Sequence, residues 1–417
     1  MNRAESLGMA NLLNRSGHEQ VTTARQADLA VLNTCVVRRN AENKVNGMLG
    51  YMKGIKALNP GLRIVVSGCF VEPETAALQK SFPFVDYFFQ AGMSGQFEDW
   101  LAAQSLLCHP DSHFSPKRAG NSVVRYITVI QGCNNYCSYC IVPYRRGREK
   151  SRTPDEILKE AADAVAEGAR EIILLGQNVN AYGHDLKQDI DLGLLLRLLH
   201  DIPDLFRIRF LTNHPKDMSS GLIEAMASLP KICRHVCLPL QAGDDRILQA
   251  MNRHYTVDRY RSLIREMRDK VPGIAISTDL IVGFPGETHE QFLNSVRAIE
   301  ELRFDVVHVA AYSPRSGTRA AAEFPDDVAD DVKKERLGLI EALQEKIASE
   351  INGGLAGTVV EILVEGRKDL KWYGRTYSDK LVFVTGQDDL LGRLVRVEIE
   401  STSPWALRGR LLTRQEA

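Results

Sequence analysis

The sequence lacks two features that would place the chain at a membrane. No apolar run is long enough to span a bilayer, and the N-terminus lacks the basic-then-apolar plan of a signal peptide. We therefore expect a cytosolic protein without a membrane partner. Because the cytosol keeps thiols reduced, its eight cysteines are expected to be free thiols or metal ligands and not disulfides.

The chain also lacks an excess of charge of either sign. Its 52 Lys and Arg residues oppose 53 Asp and Glu residues, which leaves a formal net charge of −1. This balance excludes a globally basic nucleic-acid binder, so any contact with nucleic acid must come from a local patch. The glycine-rich stretch IVGFPGET (281–288) lacks the Gly-Lys-Ser/Thr of a phosphate-binding loop, which excludes P-loop nucleotide hydrolysis.

The chain does contain a regular alternation of helices and short apolar strands. Over 417 residues this pattern predicts an α/β protein of two or three domains. Residues 1–108 predict a flavodoxin-like domain with a parallel, doubly wound sheet. Its strands are expected at 28–34, 62–68 and 86–92, and its helices at 3–16, 38–57, 73–81 and 94–104.

Residues 119–350 predict a second domain, which a polar linker at 109–122 separates from the first. Six strand candidates, most of them separated by amphipathic helices, indicate an open, partial (β/α)6 version of the eight-fold barrel. Active sites of such folds lie at the C-terminal ends of the strands. Thr153 and Thr288 each begin a capping-box pattern, so helices are expected to start there. The strands are expected at 124–130, 170–175, 206–211, 235–240, 274–282 and 305–312.

Residues 353–416 predict a third domain, a small antiparallel β-barrel. Short β-branched runs punctuated by glycine are typical of such barrels. A long charged helix at about 328–350 precedes this domain and is expected to stop at Asn-Gly-Gly (352–354).

Three cysteines lie in one short loop directly after the first predicted barrel strand: Cys133, Cys137 and Cys140. Three thiolates can hold three irons of a cubane cluster and leave the fourth iron open for a small molecule. Zinc is the alternative, but no further Cys or His follows closely to complete a tetrahedral site. The spacing Cys-x3-Cys-x2-Cys therefore favours a 4Fe–4S cluster with a vacant position.

This cysteine spacing, with Tyr139 before the last cysteine, resembles the radical S-adenosylmethionine (SAM) superfamily. The resemblance implies that SAM binds the open iron and, once the cluster is reduced, yields a 5′-deoxyadenosyl radical that abstracts hydrogen. Tyr139 would lie against the SAM adenine. Gly176, Gln177 and Asn178 would bind the SAM amino group, unless this stretch is an ordinary polar turn. No catalytic residue beyond the cluster ligands is assigned.

Two further cysteines, Cys35 and Cys69, each come immediately after a predicted strand, in LNTC and VSGC. In a parallel sheet these two loops lie at the same edge, where doubly wound folds gather ligands. Buried packing cysteines are the alternative. The matched positions of the pair favour a functional role.

Motifs along the whole chain resemble those of the methylthiotransferases, most closely the MiaB-like branch that acts on tRNA. In this resemblance the C-terminal barrel corresponds to a TRAM domain. The matching motifs are LNTCVVRRNAENKV, SGC, GCNNYCSYCIVPYRRGREKSR, GQNVNAYG, IRFLTNHP, LPLQAGDDRIL, IVGFPGET and YSPRSGT.

The family resemblance implies a second 4Fe–4S cluster, held by three cysteines of the N-terminal domain. Two of them would be Cys35 and Cys69, and the third belongs to a Cys-Gln-Met-Asn motif just before the first helix. This chain begins Met-Asn, and a β/α unit should open with a strand, so we expect that cysteine and the first strand to lie upstream of residue 1. The alternative is a variant that lacks this ligand. Without them the domain is expected to fold poorly and to hold the second cluster weakly, because a buried sheet would lose a strand.

The implied reaction uses two SAM molecules. One supplies a methyl group to sulfur on the second cluster, and the other supplies the radical that removes the C2 hydrogen of an N6-isopentenyladenosine beside the anticodon. The implied partners are the tRNA anticodon stem-loop, an electron donor and a sulfur donor, and a monomer is expected. The alternatives are methylthiolation of threonylcarbamoyladenosine in tRNA or of a ribosomal-protein aspartate, and a non-catalytic iron–sulfur RNA-binding protein.

Cations and aromatics alternate in the segment GRKDLKWYGRTYSDK (366–380), a pattern that suits base stacking combined with backbone contact. A charged hairpin with core aromatics is the alternative. The candidate RNA-contact residues are Arg367, Lys368, Lys371, Trp372 and Arg375.

Several other residues have weaker signals. The basic run from Arg145 to Arg152 indicates phosphate or carboxylate contact, with a solvated face as the alternative. Cys233 and Cys237 are expected to be buried packing residues, and Cys108 to lack partners. His214 follows a strand and either lines a pocket or holds a local turn.

Overall fold

A computed structural model describes residues 2–35, 39–72, 74–107, 122–187, 189–386 and 389–412. Cys108, the predicted linker up to residue 121 and the predicted domain boundaries at 108, 119 and 416 lie outside these ranges. The chain forms two compact units, which are described separately. The first comprises Met1–Gly120, Gln131–Tyr136 and Cys140–Glu149, and the second comprises Asn121–Ile130, Cys137–Tyr139 and Lys150–Ala417.

The first unit contains a three-stranded parallel sheet in the order β1-β2-β3. Strands β1 and β2 pair over six positions, from Leu29 opposite Arg63 to Thr34 opposite Gly68. Each described strand begins and ends within two residues of the predicted bounds. The elements are α1 (Asn2–Arg15), β1 (Leu29–Thr34), α2 (Arg39–Leu58), β2 (Arg63–Gly68), α3 (Ala76–Ser81), β3 (Tyr87–Gln90) and α4 (Ser94–Ala103).

Helices cover both faces of this sheet. Because successive side chains of a strand point to opposite faces, neighbouring strand residues pack against different helices. On one face Ile64 and Val66 pack with Leu49 of α2. On the other face Val65 packs in a cluster that includes Met9 of α1 and Phe97 of α4. The buried strand β2 is apolar on both faces, as parallel strands require when helices lie on each side.

The second unit contains the six predicted barrel strands. They are parallel but form two three-stranded sheets, β4-β7-β8 and β9-β10-β11, and not one continuous sheet. An isolated parallel bridge pairs Ile208 of β8 with Ile232, just before β9. The strands are β4 (Val124–Thr128), β7 (Glu171–Leu175), β8 (Arg207–Phe210), β9 (His235–Cys237), β10 (Ala275–Val282) and β11 (Val306–Ala311), and two short strands, β5 (Ile130–Gln131) and β6 (Lys150–Ser151), follow β4.

The helices between these strands start where the capping patterns predict. Thr153 and Thr288 each form a complete capping box, the first with Glu156 and the second with Gln291. Each box satisfies backbone donors at the helix start that otherwise lack partners. Helix α5 (Val142–Arg146) belongs to the first unit. The helices of the second unit are α6 (Pro154–Ala166), α7 (Leu192–His200), α8 (Ser220–Ser228), α9 (Asp245–Ala250), α10 (Val257–Lys270), α11 (His289–Leu302), α12 (Arg319–Glu323) and α13 (Asp330–Gly353).

The chain after α13 folds into a closed five-stranded barrel, also within the second unit. The prediction of an entirely antiparallel barrel is wrong in one respect, because β14 and β16 pair in parallel. Closing five strands with this connectivity leaves one neighbouring pair that runs in the same direction. The strands are β12 (Val359–Lys368), β13 (Lys371–Thr376), β14 (Leu381–Thr385), β15 (Leu394–Thr402) and β16 (Leu407–Leu411).

A buried ionic network connects this barrel to the strands of the (β/α)6 part. The Arg209 guanidinium donates to Glu171 at 2.9 Å and lies 3.2 Å from Asp379, which is in the turn between β13 and β14. Burial alone would raise the pKa of Asp379, but Arg209, His235 and Arg375 hold it below its ordinary value. The ionised carboxylate of Asp379 therefore stabilises the folded unit.

Among the described residues, no helix is both long and apolar enough to cross a membrane.

The network predicts a pH-dependent effect of Asp379→Asn. Losing a charge-assisted contact to buried Arg209 should lower the free energy of unfolding by about 1–3 kcal/mol at pH 7. Because the folded-state pKa of Asp379 is depressed, this stabilisation is present above about pH 4 and is lost as the pH falls through the folded-state pKa. Urea unfolding of both proteins at several pH values measures the difference.

A matched control is Asp369→Asn, in the exposed turn between β12 and β13. Both aspartates have positive φ angles, 55° for Asp369 and 65° for Asp379, and asparagine tolerates that region well. The control should change stability by less than about 0.5 kcal/mol. Equal effects of the two substitutions at pH 7 would contradict a stabilising role of the network.

Candidate metal and cofactor site

The loop between β5 and α5 carries the three-cysteine motif, and its first turn requires glycine. Gly132 has φ +76°, and a Cβ atom there would lie 2.1 Å from the carbonyl oxygen of Arg148. The N–H group of Cys133 donates to the carbonyl of Gly147 at 3.2 Å. The backbone on either side of the first cysteine is therefore held close to the segment that follows α5.

The middle cysteine, Cys137, is buried in the second unit and its sulfur accepts a hydrogen bond. The donor is Nη1 of Arg253, at 3.3 Å. The next residue, Ser138, is fixed on the end of α9, with its N–H bound to the carbonyl of Met251 at 3.0 Å and its hydroxyl to that of Ala250 at 2.8 Å. The chain at Cys137 is thus anchored on the residues that follow α9.

Tyr139 is half-buried and packs against a separate hydrophobic cluster of the second unit. This cluster includes Met251, Phe284 and Tyr312. Phe284 belongs to the IVGFPGET motif, so the glycine-rich strand end and the cysteine motif contribute to one cluster. Packing fixes one side of the Tyr139 ring, and its predicted contact with the SAM adenine stays a prediction.

The donor set of the motif consists of three thiols on one loop, and thiolates are the ligands that 4Fe–4S clusters take. Within the described part of the chain, no group of three or more His, Cys, Asp or Glu side chains is placed to hold a metal ion. The chemistry of the donors therefore fits a cluster, and the cluster itself stays a prediction.

The stretch after β7 is tightly packed. A Cβ atom on Gly176 would lie 2.5 Å from a methyl carbon of Ile130, so only glycine fits there without a shift. Asn178 is buried, and its amide donates to the Asp217 carboxylate at 2.7 Å. Gln177 is half-buried. The polar-turn alternative accounts for Gly176 and Asn178 structurally, and the SAM contacts of all three residues stay predictions.

His214 holds a local turn, one of the two roles that the sequence left open. Its Nδ1 atom accepts the N–H of Lys216 at 3.2 Å, at the start of a short 3-10 helix. Burial lowers the pKa of His214 to about 2, so the imidazole is neutral. Burial also raises the pKa of Cys233 to about 12 and that of Cys237 to about 11, which keeps both thiols protonated, as packing residues would be.

In the first unit, Cys35 and Cys69 follow directly paired strand ends. Thr34 lies opposite Gly68 in the parallel register, and the N–H of Cys69 donates to the carbonyl of Thr34 at 3.1 Å. The two loops are therefore neighbours at the carboxyl edge of the sheet, as expected. The metal-binding role of both cysteines stays a prediction.

A buried arginine lies beside Cys69. Burial raises the pKa of the Cys69 thiol, and a hydrogen bond from Arg146 opposes that effect. The same guanidinium binds the Glu5 carboxylate through Nη1 at 2.5 Å and the side-chain oxygen of Asn2 through Nη2 at 3.2 Å. Arg146 therefore connects the loop after β2 with α1, a role that nothing in the sequence spacing indicated.

The basic run is divided between paired and exposed residues. Arg145 pairs with Glu72 at 2.6 Å and Arg152 with Glu160 at 2.5 Å. Arg148 and Lys150 are exposed. Arg145 and Arg152 are thus engaged within the chain, and contact of the run with a bound phosphate or carboxylate stays a prediction.

The predicted RNA-contact residues of the C-terminal barrel fall into two groups. Arg367, Lys368 and Lys371 are exposed at the end of the hairpin formed by β12 and β13. Trp372 is only 7% exposed and packs in the barrel core, so the core-aromatic alternative applies to it. Arg375 is half-buried and pairs with Asp379. The three exposed cations stay the candidates for RNA contact.

A cavity of about 560 Å³ with a mixed polar and apolar lining lies between the lumen of the (β/α)6 part and the C-terminal barrel. Six of its lining residues come from β9, β10 and β11, and Trp405 comes from the turn before β16. Cavities of this size hold small molecules or single nucleosides. The lining residues from these three strands are His235, Cys237, Ser277, Asp279, Val306 and His308.

The geometry at the first cysteine predicts that Gly132→Ala prevents stable cluster binding. A methyl group there combines a strained φ with a clash against the Arg148 carbonyl, so the loop must move. We expect the variant to fold but to retain little iron after anaerobic reconstitution, measured by iron content and visible absorption.

Gly273→Ala is a matched control, because Gly273, in the turn between α10 and β10, has nearly the same φ, +73°, with nothing within 4 Å of an added Cβ. It should cost about 1–2 kcal/mol of backbone strain and retain its iron. Equal iron contents in the two variants would show that the turn at Gly132 does not shape the site.

Three family descriptions match the chain. "Uncharacterized protein family UPF0004" matches residues 1–90, the Radical SAM superfamily matches residues 127–299, and the TRAM domain matches residues 355–412. In solved structures, the fold is similar to a radical SAM methyltransferase, TsrM, from Kitasatospora setae, with TM-scores of 0.55 and 0.52 at 16% and 17% identity. The alignments cover 71% and 68% of this chain and less than two thirds of those chains, 66% and 62%.

Similarity to curated proteins extends over nearly the full length. An enzyme of Dehalococcoides mccartyi (strain 195) is 48% identical over 99% of this chain and 96% of its own length. One from Thermoanaerobacter sp. (strain X514) is 42% identical over 99% of this chain and 90% of its own. Both carry the name tRNA-2-methylthio-N(6)-dimethylallyladenosine synthase. The family predicted from the motifs is therefore confirmed: the chain belongs to the tRNA-2-methylthio-N(6)-dimethylallyladenosine synthase family of radical SAM enzymes.

Proposed function

We propose that this chain is a radical SAM tRNA methylthiotransferase that replaces the C2 hydrogen of N6-isopentenyladenosine beside the anticodon with a methylthio group. The observation that carries the proposal is the three-cysteine loop after the first barrel strand, in a chain similar over nearly its full length to enzymes with that name. We assign residues 1–108 to a methylthiotransferase N-terminal domain, 119–350 to the radical SAM core and 353–416 to a TRAM domain.

The radical SAM core supplies the ligands for the cluster and positions SAM. When bound, a reduced 4Fe–4S cluster cleaves SAM to methionine and a 5′-deoxyadenosyl radical, which takes the C2 hydrogen of the adenine. In this proposal Cys133, Cys137 and Cys140 ligate three irons. Tyr139 contacts the SAM adenine from the hydrophobic cluster that fixes its ring. The backbone and side chains of 176–178 bind the SAM amino group.

Cys35 and Cys69 contribute to a second 4Fe–4S cluster, which carries the sulfur to be transferred. Their positions at one edge of a parallel sheet support this role. Arg146 supports it further, because a buried guanidinium beside the Cys69 sulfur would stabilise a ligated thiolate. A donor of sulfur and a donor of electrons are required as partners, and the chain acts as a monomer.

The tRNA substrate is held by its anticodon stem-loop. Unpaired anticodon-loop bases are readily turned outward, which a lumen site requires. Arg367, Lys368 and Lys371 would contact the RNA backbone from the hairpin of the C-terminal barrel. The cavity beside the lumen has room for one nucleoside. Threonylcarbamoyladenosine and a ribosomal-protein aspartate are less favoured as substrates, because the curated relatives named above are isopentenyl-type synthases.

Two cysteine substitutions should separate the two halves of the reaction. Cys133→Ala should abolish formation of 5′-deoxyadenosine from SAM, because a ligand of the first cluster is lost. Cys69→Ala should leave 5′-deoxyadenosine formation but abolish the methylthio product and lower the iron content by up to about four atoms. Both products are measured by mass spectrometry after anaerobic reconstitution and reduction, with isopentenylated tRNA as substrate.

Cys233→Ala is the control for these variants, because this cysteine is buried without a proposed ligand role. It should keep both products. The proposal fails if Cys133→Ala forms 5′-deoxyadenosine at the parent rate. It also fails if the parent yields the methylthio product on a threonylcarbamoyladenosine tRNA and not on an isopentenyladenosine tRNA.

The triple substitution of Arg367, Lys368 and Lys371 by Ala should weaken tRNA binding without changing SAM cleavage. Each lost phosphate contact should reduce the slope of log affinity against log salt by about one unit. Fluorescence anisotropy with a labelled anticodon stem-loop at several salt concentrations measures both quantities. Replacing exposed Lys334 and Lys346 of α13 by Ala is the control and should leave the affinity unchanged. Unchanged affinity in the triple variant would remove the hairpin from the RNA interface.

A further inference from the structure

Arg253 lies in a loop of unusual backbone conformation that follows α9. Its neighbours Asn252 and His254 both have positive φ angles, 59° and 56°, although neither is glycine. Such conformations cost about 1–3 kcal/mol each and persist only where the surroundings impose them. The loop directs the Arg253 side chain inward, and the residue is only 4% exposed.

Three contacts hold the guanidinium in one orientation. Nε donates to the hydroxyl of Tyr255 at 3.1 Å, and Nη2 donates to the carbonyl of Pro239 at 3.2 Å. The Tyr255 hydroxyl is itself fixed, because it donates to the carbonyl of Leu240 at 2.6 Å. With these donors engaged, Nη1 is directed at the sulfur of Cys137, 3.3 Å away.

Arg253 differs from the other buried arginines in its charge partners. Among the residues that the structure describes, no Asp or Glu forms an ion pair with it, whereas buried Arg209, Arg146 and Arg336 each pair with a glutamate. A buried cation without a counter-charge is costly by several kcal/mol. Besides the Tyr255 hydroxyl, it donates to the sulfur of Cys137, a proposed ligand. Thiolate ligation there would supply the missing negative charge.

We propose that Arg253 is a positioning residue that tunes the first cluster, by donating a hydrogen bond and a positive charge to the Cys137 sulfur. This inference rests on the proposed function. A hydrogen bond to a ligating sulfur withdraws electron density from iron, and a nearby cation stabilises the added electron of the reduced cluster. Arg253 therefore raises the reduction potential of the cluster and makes it easier to reduce.

The same loop also fixes the cysteine that Arg253 contacts. Ser138, the neighbour of Cys137, is hydrogen-bonded to the carbonyls of Ala250 and Met251, directly before the arginine. The donor and the acceptor are thus attached to one short segment. Their separation does not depend on distant parts of the fold.

The test uses the full chain in a Cys35→Ala/Cys69→Ala background, so that only the first cluster is present. The midpoint potential is measured by redox titration monitored with electron paramagnetic resonance, for the parent, Arg253→Lys and Arg253→Met. We expect a more negative midpoint in Arg253→Met and an intermediate shift in Arg253→Lys, which keeps the charge but not the planar donor. The rate of 5′-deoxyadenosine formation at a fixed reducing potential should fall about 10-fold or more in Arg253→Met.

Arg268→Met is the matched control. Arg268 also donates to backbone carbonyls, those of Leu302 and Arg303, but contacts no cysteine. The Arg268→Met substitution should leave the midpoint potential of the cluster unchanged. If Arg253→Met keeps the parent iron content and the parent midpoint, the proposal is overturned, although the parent's SAM cleavage and methylthio product would still support the proposed function.

A second measurement needs no substitution and decides the question if Arg253→Met fails to fold. In the parent with ¹⁵N-labelled arginine, electron–nuclear double resonance of the reduced cluster should show a weak ¹⁵N coupling. Exchange into deuterium oxide should add a coupling from the N–D···S hydrogen bond. Absence of both couplings from a reduced, SAM-cleaving protein would overturn the proposal.

Discussion

The parallel arrangement of strands is the constraint on which the rest of the structure depends. Parallel strands need helical crossovers, and their carboxyl ends meet at one edge of the sheet. In the first unit this rule brings the loops with Cys35 and Cys69 together, since Thr34 lies opposite Gly68. The three-cysteine loop likewise follows the carboxyl ends of β4 and β5, where barrel folds gather their ligands. The strand direction therefore decides where the sulfur donors can be.

The second constraint on the structure is the cost of burying charged arginine side chains. In each unit specific carboxylates pair with the buried guanidinium groups. Arg146 pairs with Glu5, and Arg209 with Glu171 and Asp379. In both cases the desolvation of the guanidinium is offset by a carboxylate at hydrogen-bond distance. Arg253 departs from this pattern, because no Asp or Glu among the described residues pairs with it and it donates to the Cys137 sulfur instead.

The ionic network between the (β/α)6 strands and the C-terminal barrel has a functional consequence. Arg207 lies 4.2 Å from the ring centroid of Tyr377 and donates to the carbonyl of Arg375, and Lys380 pairs with Asp305 at 2.6 Å. Part of the basic segment 366–380 is therefore used to attach the barrel. Only the distal hairpin cations are left for a nucleic-acid partner, which narrows the candidate RNA surface from the whole segment to its tip.

Much of the local structure followed from short-range signals. The capping boxes at Thr153 and Thr288 begin helices as predicted, because side chain and backbone of four consecutive residues settle the start of a helix. The strands were also located, since apolar runs between turn residues are local patterns. The break between β8 and β9 and the parallel pairing of β14 with β16 were not predicted, because they depend on how strands meet at long range.

The sequence by itself determined the ligand chemistry and the family. The spacing of Cys133, Cys137 and Cys140 is a local property, and the motifs along the chain carry the resemblance. Only the tertiary structure decided which charges face those ligands. Arg253 lies 116 residues from Cys137, and Arg146 lies 141 residues from Glu5. Contacts at such separations depend on how a whole sheet and its helices pack, and no spacing rule in the sequence encodes them.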